Sequence, residues 1–428
     1  MSSNTRNFKP QHAILLFAAF GVTTFLIRTI KPQDYFLHYL AGEMILNGKY
    51  LIHPITQQHW LYLDELGKIV LYLYGKLLPH TIPWLWMPIT YYALIVLPAL
   101  LIVLPHHSVS HDHAILYPLL FLPLVHSDLR TFHLTFPLLA VAIRTTNPIA
   151  LTTTGFLWNG FHGSWAVGLY YTVLSGLSYS PTLKDSGIRK GIWFTSGALL
   201  YSVALGLITG NWLVALYKAT SGLPLAIRWT GIGGEWGTVD QSIYMATALG
   251  VIVTVAALKK DWRMSLAAVP GLFLIRIVPY ASIYILSRDL SLTKRTVKKP
   301  MLLTLITLTF IMFLMMQELP SKPNEIAKIA REIPEGSKVA CYHINLAYEL
   351  KYYNPNIEIL PKEIYELIQN PQNSTTLWKY ISTDYFDGIS HSDIIIVQKW
   401  GQPIIAEAME SGFSICGKYG DLTVLVKK

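Results

Sequence analysis

Apolar stretches of about 20 residues recur from residue 12 to about residue 317 and then stop. A helix of that length crosses the ~30 Å hydrocarbon layer of a bilayer. Only 14% of the chain is charged and 52% is hydrophobic, against about 25% charged in soluble domains. From about residue 319 the pattern reverses to charges, Asn, Pro and amphipathic runs. The expectation is a polytopic α-helical membrane domain over 1–318 and an extracytoplasmic α/β domain over 319–428.

Membrane helices are expected near 12–30, 82–104, 113–127, 132–146, 148–160, 164–181, 191–209, 241–258, 264–275, 278–289 and 300–317. Eleven crossings put the termini on opposite sides. Residues 1–317 hold 23 Lys/Arg against 11 Asp/Glu, a net of +12, and residues 318–428 hold 11 against 14, a net of −3. The connections between even and odd spans, with the N-terminus, hold 14 Lys/Arg against Asp112, Asp185, Asp261 and Asp289. Excess cations mark the cytoplasmic side. The N-terminus is therefore expected in the cytoplasm and the C-terminal domain outside the plasma membrane. Basic residues scattered over short loops exclude a nucleic-acid surface.

The first outer connection, 31–81, is too long to be a turn. Pro32 and Gln33 lead into a helical pattern that ends near Asn47 and Gly48. Asp34 and His38, four residues apart, share a face, and Gly42 allows close approach; Asp34 is equally a residue that caps or begins a helix. The stretch HWLYLDELGKIVLYLYGKLL reads as an interfacial helix, on which Asp64 and Glu65 form a solvated face. Further polar residues gather at the same side: Arg130, Asn159 and His162 (in LWNGFHGSW), Glu235 and Asp240 (in a Gly- and Trp-rich loop), and Arg276. Ionisable groups at a membrane face are costly and point to a use. Each also has an ordinary reading, such as snorkelling for Arg130 or a turn histidine for His162. The inner loop PHHSVSHDH matches no zinc spacing, and no P-loop, GxSxG or CxxC occurs.

These residues resemble the GT-C-type glycosyltransferases, polytopic enzymes that take a sugar from a polyprenyl-phosphate carrier. Narrower still, the chain looks like a prokaryotic branch with a C-terminal soluble domain. The matches are Asp34 with His38-Tyr39-Leu40-Ala41-Gly42, Trp60 followed by Glu65-Leu66, Arg130, the turn Trp158-Asn159-Gly160-Phe161-His162-Gly163-Ser164, Glu235-Trp236 with Asp240, and Arg276. The resemblance implies inverting transfer at the extracytoplasmic face, with Asp34 as the general base or acceptor-orienting carboxylate. His38, Glu65, Arg130, Asn159, His162, Glu235, Asp240 and Arg276 would then bind substrate, the arginines beside the leaving phosphate. The implied partners are the polyprenyl-phosphate sugar donor, the bilayer, and a glycan, lipid or protein acceptor. A divalent metal is the one cofactor allowed, with neither Asp-x-Asp nor Asp-Asp beside Asp34. The rival readings are a transporter and a non-catalytic membrane subunit with a partner-binding outer domain.

The last hundred residues alternate helical and strand patterns: NEIAKIAREI, PKEIYELI and AEAMESG as helices, KVACYHI, SDIIIVQ, FSICGKYG and LTVLVKK as strands. Cys341 and Cys416 either pair in an oxidising compartment or remain thiols.

Overall fold

The computed structural model describes residues 7–8, 33–50, 54–55, 64–78, 91–104, 109–110, 120, 124, 130–177, 184–221, 249–250, 252–253, 256, 261–273, 277–288, 324–341, 344–360, 392–398, 402–420 and 422–428. In chain order these form β1 (Asn7–Phe8), α1 (Gln33–Leu46), α2 (Glu65–Leu77), a π turn (Tyr91–Val96) running into α3 (Leu97–Val103), β2 (Val109–Ser110), a 3-10 turn (Thr131–Leu134) running into α4 (Thr135–Arg144), α5 (Pro148–Phe161), α6 (Trp165–Gly176), α7 (Lys184–Thr209) and α8 (Trp212–Ser221). Then come α9 (Trp262–Phe273), α10 (Val278–Leu286), α11 (Asn324–Glu332), β3 (Lys338–Cys341), α12 (Ile344–Tyr353), β4 (Glu358–Leu360), β5 (Ile394–Gln398), α13 (Gln402–Glu410), β6 (Phe413–Tyr419) and β7 (Leu422–Lys427).

This overturns the expected GT-C-like bundle of about eleven spans. Among the described residues one helical stretch, Ser186–Thr209, is long and apolar enough to cross a membrane. Helices do form over 135–144, 148–161 and 165–176, but at 10, 14 and 12 residues they rise only about 15–21 Å at 1.5 Å per residue. That falls short of the ~30 Å a crossing needs. The Asn147-Pro148 and His162-Gly163 breaks, both expected from the sequence, leave α4, α5 and α6 too short to count as full crossings however apolar they are. The expected spans at 12–30 and 300–317, and most of 113–127 and 241–258, lie outside the described residues.

The chain divides into two compact units. One comprises 1–27, 88–127 and 131–318; the other comprises 28–87, 128–130 and 319–428. Residues 28–87 therefore cluster with the C-terminal residues, although the sequence reads 31–81 as an outer connection between the first two spans.

In the first unit, α5 and α7 cross at two glycines. A methyl at Gly155 would overlap the Phe194 carbonyl, and one at Gly197 the Thr152 carbonyl, a close approach that only small residues allow. Trp158, Phe136, Tyr171 and Tyr280 fill the interior; Trp158 stacks on Tyr280 with ring centroids 5.6 Å apart. By contrast α7 and α8 turn Leu199, Leu200, Leu207, Ile208, Leu213 and Leu216 outward.

The second unit holds a five-stranded mixed sheet, order β4-β3-β5-β7-β6. β3 pairs in parallel with β4 and β5, and β7 pairs antiparallel with β5 and β6. The run Ile394-Ile395-Ile396-Val397 in β5 is wholly buried, the sign of a central strand covered on both faces. Its Ile395 and Val397 share a core with Ala340, Ile404, Ile405, Ala408, Phe413 and Leu425. Helix α12 was not foreseen; INLAYELKYY lacks a clean apolar stripe. The expected helix PKEIYELI lies outside the described residues. Cys341 and Cys416 are both free thiols, one buried and one exposed.

Candidate functional site

In the second unit α1 starts at Gln33, with Asp34 in its first turn, where a carboxylate favours the helix dipole. It ends with the Gly48 amide bonding the Ile45 carbonyl at 3.0 Å and the Lys49 amide bonding that of Met44 at 2.9 Å, the two bonds of a Schellman closure. Helix α2 lies against α1. A methyl at Gly42 would overlap the Lys68 carbonyl, and one at Gly75 would overlap the Tyr35 hydroxyl. The two glycines let the helices approach closely enough for their polar residues to meet.

What meets is a carboxylate, an imidazole and an ammonium. His38 Nδ1 lies 3.5 Å from Asp64 Oδ2, and Lys68 Nζ bonds Asp64 Oδ1. Asp64 and Lys68 are one turn apart and both buried, as is the neighbouring Glu65. The expected solvated face at 64–65 is therefore wrong: the α1 crossing covers it. Buried charges require partners, and Asp64 and Lys68 neutralise each other. On the next turns Tyr72 donates its hydroxyl hydrogen to Glu43 Oε1 at 3.3 Å.

The other side of α1 is covered by aromatic rings. Phe36 and Tyr39 each lie 4.8 Å from Tyr352 of α12, and Tyr39 lies 4.9 Å from Tyr72. Tyr35 also meets Tyr352 edge-on at 6.2 Å. Burial holds Tyr35, Tyr39, Tyr352 and Tyr353 above the usual phenol range, and neighbouring phenols add to it at Tyr35, Tyr39 and Tyr353. The helix that carries Asp34 is thus clamped between α2 and α12.

The remaining sequence candidates are placed as follows. Asp34 is located by its backbone alone. Arg130 belongs to the second unit and directly precedes the 3-10 turn in the chain. Asn159 is buried in the first unit, where its amide donates to the Ala198 carbonyl at 2.7 Å and to Ser202 Oγ at 3.0 Å, tying α5 to α7. His162 closes α5, with Nδ1 2.6 Å from Ser164 Oγ and accepting the Ser164 amide hydrogen at 3.2 Å. Beside it Thr135 Oγ1 and Tyr280 Oη are 2.8 Å apart. Glu235, Asp240 and Arg276 lie outside the described residues. Sequence reasoning missed Asp64 and Lys68 as site residues; their i,i+4 spacing on a helix starting at Glu65 was the available signal. Among the described residues no group of three or more His, Cys, Asp or Glu lies close enough to hold a metal ion.

No protein-family model, curated protein or solved structure matches the chain.

Proposed function

We propose that the protein is a membrane glycosyltransferase that takes a sugar from a polyprenyl-phosphate donor and passes it to an acceptor hydroxyl on the outer side of the plasma membrane. The observation that carries the reading is the buried Asp64–His38 contact, braced by Lys68, one helical turn from Asp34. His38 follows Asp34 by four residues, a spacing that puts the two positions on one face of α1. Fixing that face is what a general base needs, because proton transfer requires a positioned carboxylate. Asp34 takes the proton of the acceptor hydroxyl as its oxygen bonds the anomeric carbon. The bond from that carbon to the phosphate oxygen breaks, the electron pair leaves with the polyprenyl phosphate, and the configuration inverts.

Arg130 and Arg276 are the arginines that the resemblance assigns to the leaving phosphate, whose charge cations stabilise. His162, Glu235, Asp240, Glu65 and Asn159 are its substrate-binding candidates. The lipid setting draws support from the outward Leu199, Leu200, Leu207 and Ile208 of α7, since contiguous apolar surface seeks a non-aqueous partner.

The test is transfer from polyprenyl-phosphate sugars by the purified protein in lipid nanodiscs. Asp34→Asn should lower the rate by about 10²–10⁴-fold with the helical content unchanged. Wild-type turnover in that variant removes Asp34 from the mechanism. Failure of the wild-type protein with every polyprenyl-phosphate sugar overturns the reading itself.

A further inference from the structure

Four cations converge at one end of the helices of the first unit. Arg144, the last residue of α4, donates through Nη2 to the Val103 carbonyl at the end of α3. Lys190 of α7 is buried, and its ammonium donates to the Ile143 carbonyl at 2.9 Å and to Ser175 Oγ at 2.7 Å, joining the ends of α4 and α6. Arg263, in the first turn of α9, donates to the Leu177 carbonyl at 3.1 Å and pairs with Asp261 at 3.2 Å. Arg288, just past α10, donates to Tyr284 Oη at 2.7 Å, and that hydroxyl donates to the Leu174 carbonyl at 3.4 Å. Lys190 and, through Tyr284, Arg288 both reach the end of α6 at Ser175 and Leu174, Arg263 binds the Leu177 carbonyl there, and Arg144 directly follows the Ile143 carbonyl that Lys190 binds, so the four form one cluster.

Capping helix carbonyls does not account for this much positive charge. Helices α3, α4, α6 and α10 end here, but α5, α7 and α9 start here, and their roughly half-unit end charges largely cancel. Asp261 is the only carboxylate among the described side chains of this unit. Donors are also in excess. Arg288 Nε is buried with no hydrogen-bond partner among the described residues, and Lys190 spends two of its three N–H groups on the bonds above. In the sequence the flanking segments add Lys184, Lys259, Lys260, Lys294, Arg295, Lys298 and Lys299 against Asp185 and Asp289.

We propose that Arg144, Lys190, Arg263 and Arg288 form a binding site for a phosphate-ester anion. Guanidinium groups match phosphate oxygens in charge and geometry, and the unused donors of Arg288 and Lys190 supply the bonds. The anion comes either from an anionic lipid headgroup, which basic pockets between membrane helices hold, or from a soluble phosphate. The proposal does not rest on the transferase reading, because binding is measured without turnover.

The experiment compares the full chain in nanodiscs of phosphatidylcholine with and without phosphatidylglycerol, reading retained lipid by native mass spectrometry. A parallel titration uses inorganic phosphate. Arg288→Gln and Arg144→Gln are each expected to weaken retention of phosphatidylglycerol about fivefold. Arg189→Gln, which removes an exposed charge beside the cluster on α7, should leave it unchanged. Selective loss of phosphatidylglycerol assigns the site to a lipid headgroup; selective loss of inorganic phosphate binding assigns it to a soluble anion. Preference for neither probe, or equal loss in Arg189→Gln and both cluster variants, overturns the proposal.

Discussion

At the scale of single residues, the decisive group is Asp64. It sits between His38 and Lys68 under the α1 crossing, and it makes no side-chain cap bond to α2, so its worth is electrostatic. Removing one partner of a buried pair strands the other charge, at a cost of about 3–5 kcal/mol, whereas replacing both partners by apolar groups is often neutral. Asp64→Asn should therefore lower the unfolding free energy by about 3 kcal/mol, and Asp64→Leu with Lys68→Met should recover most of the loss. Denaturant unfolding of the two variants checks this; equal destabilisation would mean the pair is not buried as described. Spacing pairs Asp34 with His38 in the sequence, whereas the described partner of His38 is Asp64. Asp64 was not legible, because an acidic residue beside Glu65 reads as solvated until a second helix covers it.

At the scale of elements, α1 is held by α2 through glycines and by α12 through rings. The phenols of Tyr35, Tyr39, Tyr352 and Tyr353 are raised chiefly by burial. The sign follows from which state keeps its protons: the unfolded chain releases them above about pH 10, and the folded unit retains them. Stability is therefore intact below that pH and falls above it, by about 1.4 kcal/mol per pH unit for each phenol. An alkaline titration should show the tyrosinate absorbance of these four rings rising together with loss of helical signal. Ionisation of all the tyrosines near pH 10 with the fold intact would contradict the packing. The end of α1 at Asn47-Gly48 was legible, since a helix closing on glycine has a local chemical signature. Helix α12 was not, because its buried residues are divided among contacts with α1, α11 and β3 and form no single stripe.

At the scale of the whole molecule, the proposed function needs residues 319–428 on the outer side of the membrane, and the two cysteines provide a readout of that orientation. Cys416 is exposed, while Cys341 is buried with its thiol held up by burial. On intact cells a membrane-impermeant maleimide should label Cys416 and spare Cys341, which should react only after unfolding. No labelling of Cys416 until the cells are opened would reverse the orientation. Composition by itself determined that much of this chain shuns water and that its last hundred residues do not. The sequence also showed where some helices stop, as α1 does at Asn47-Gly48, since Gly and Asn act locally on the backbone. It did not determine the number of spans, because an apolar run shows affinity for a non-aqueous setting without showing how much of it stays one unbroken helix. Nor did it show that residues 28–87 cluster with the C-terminal residues. That association rests on Tyr35, Phe36 and Tyr39 meeting Tyr352 and Tyr353, rings more than 300 residues apart in the chain, and contacts of that range leave no periodic trace in the sequence on either side.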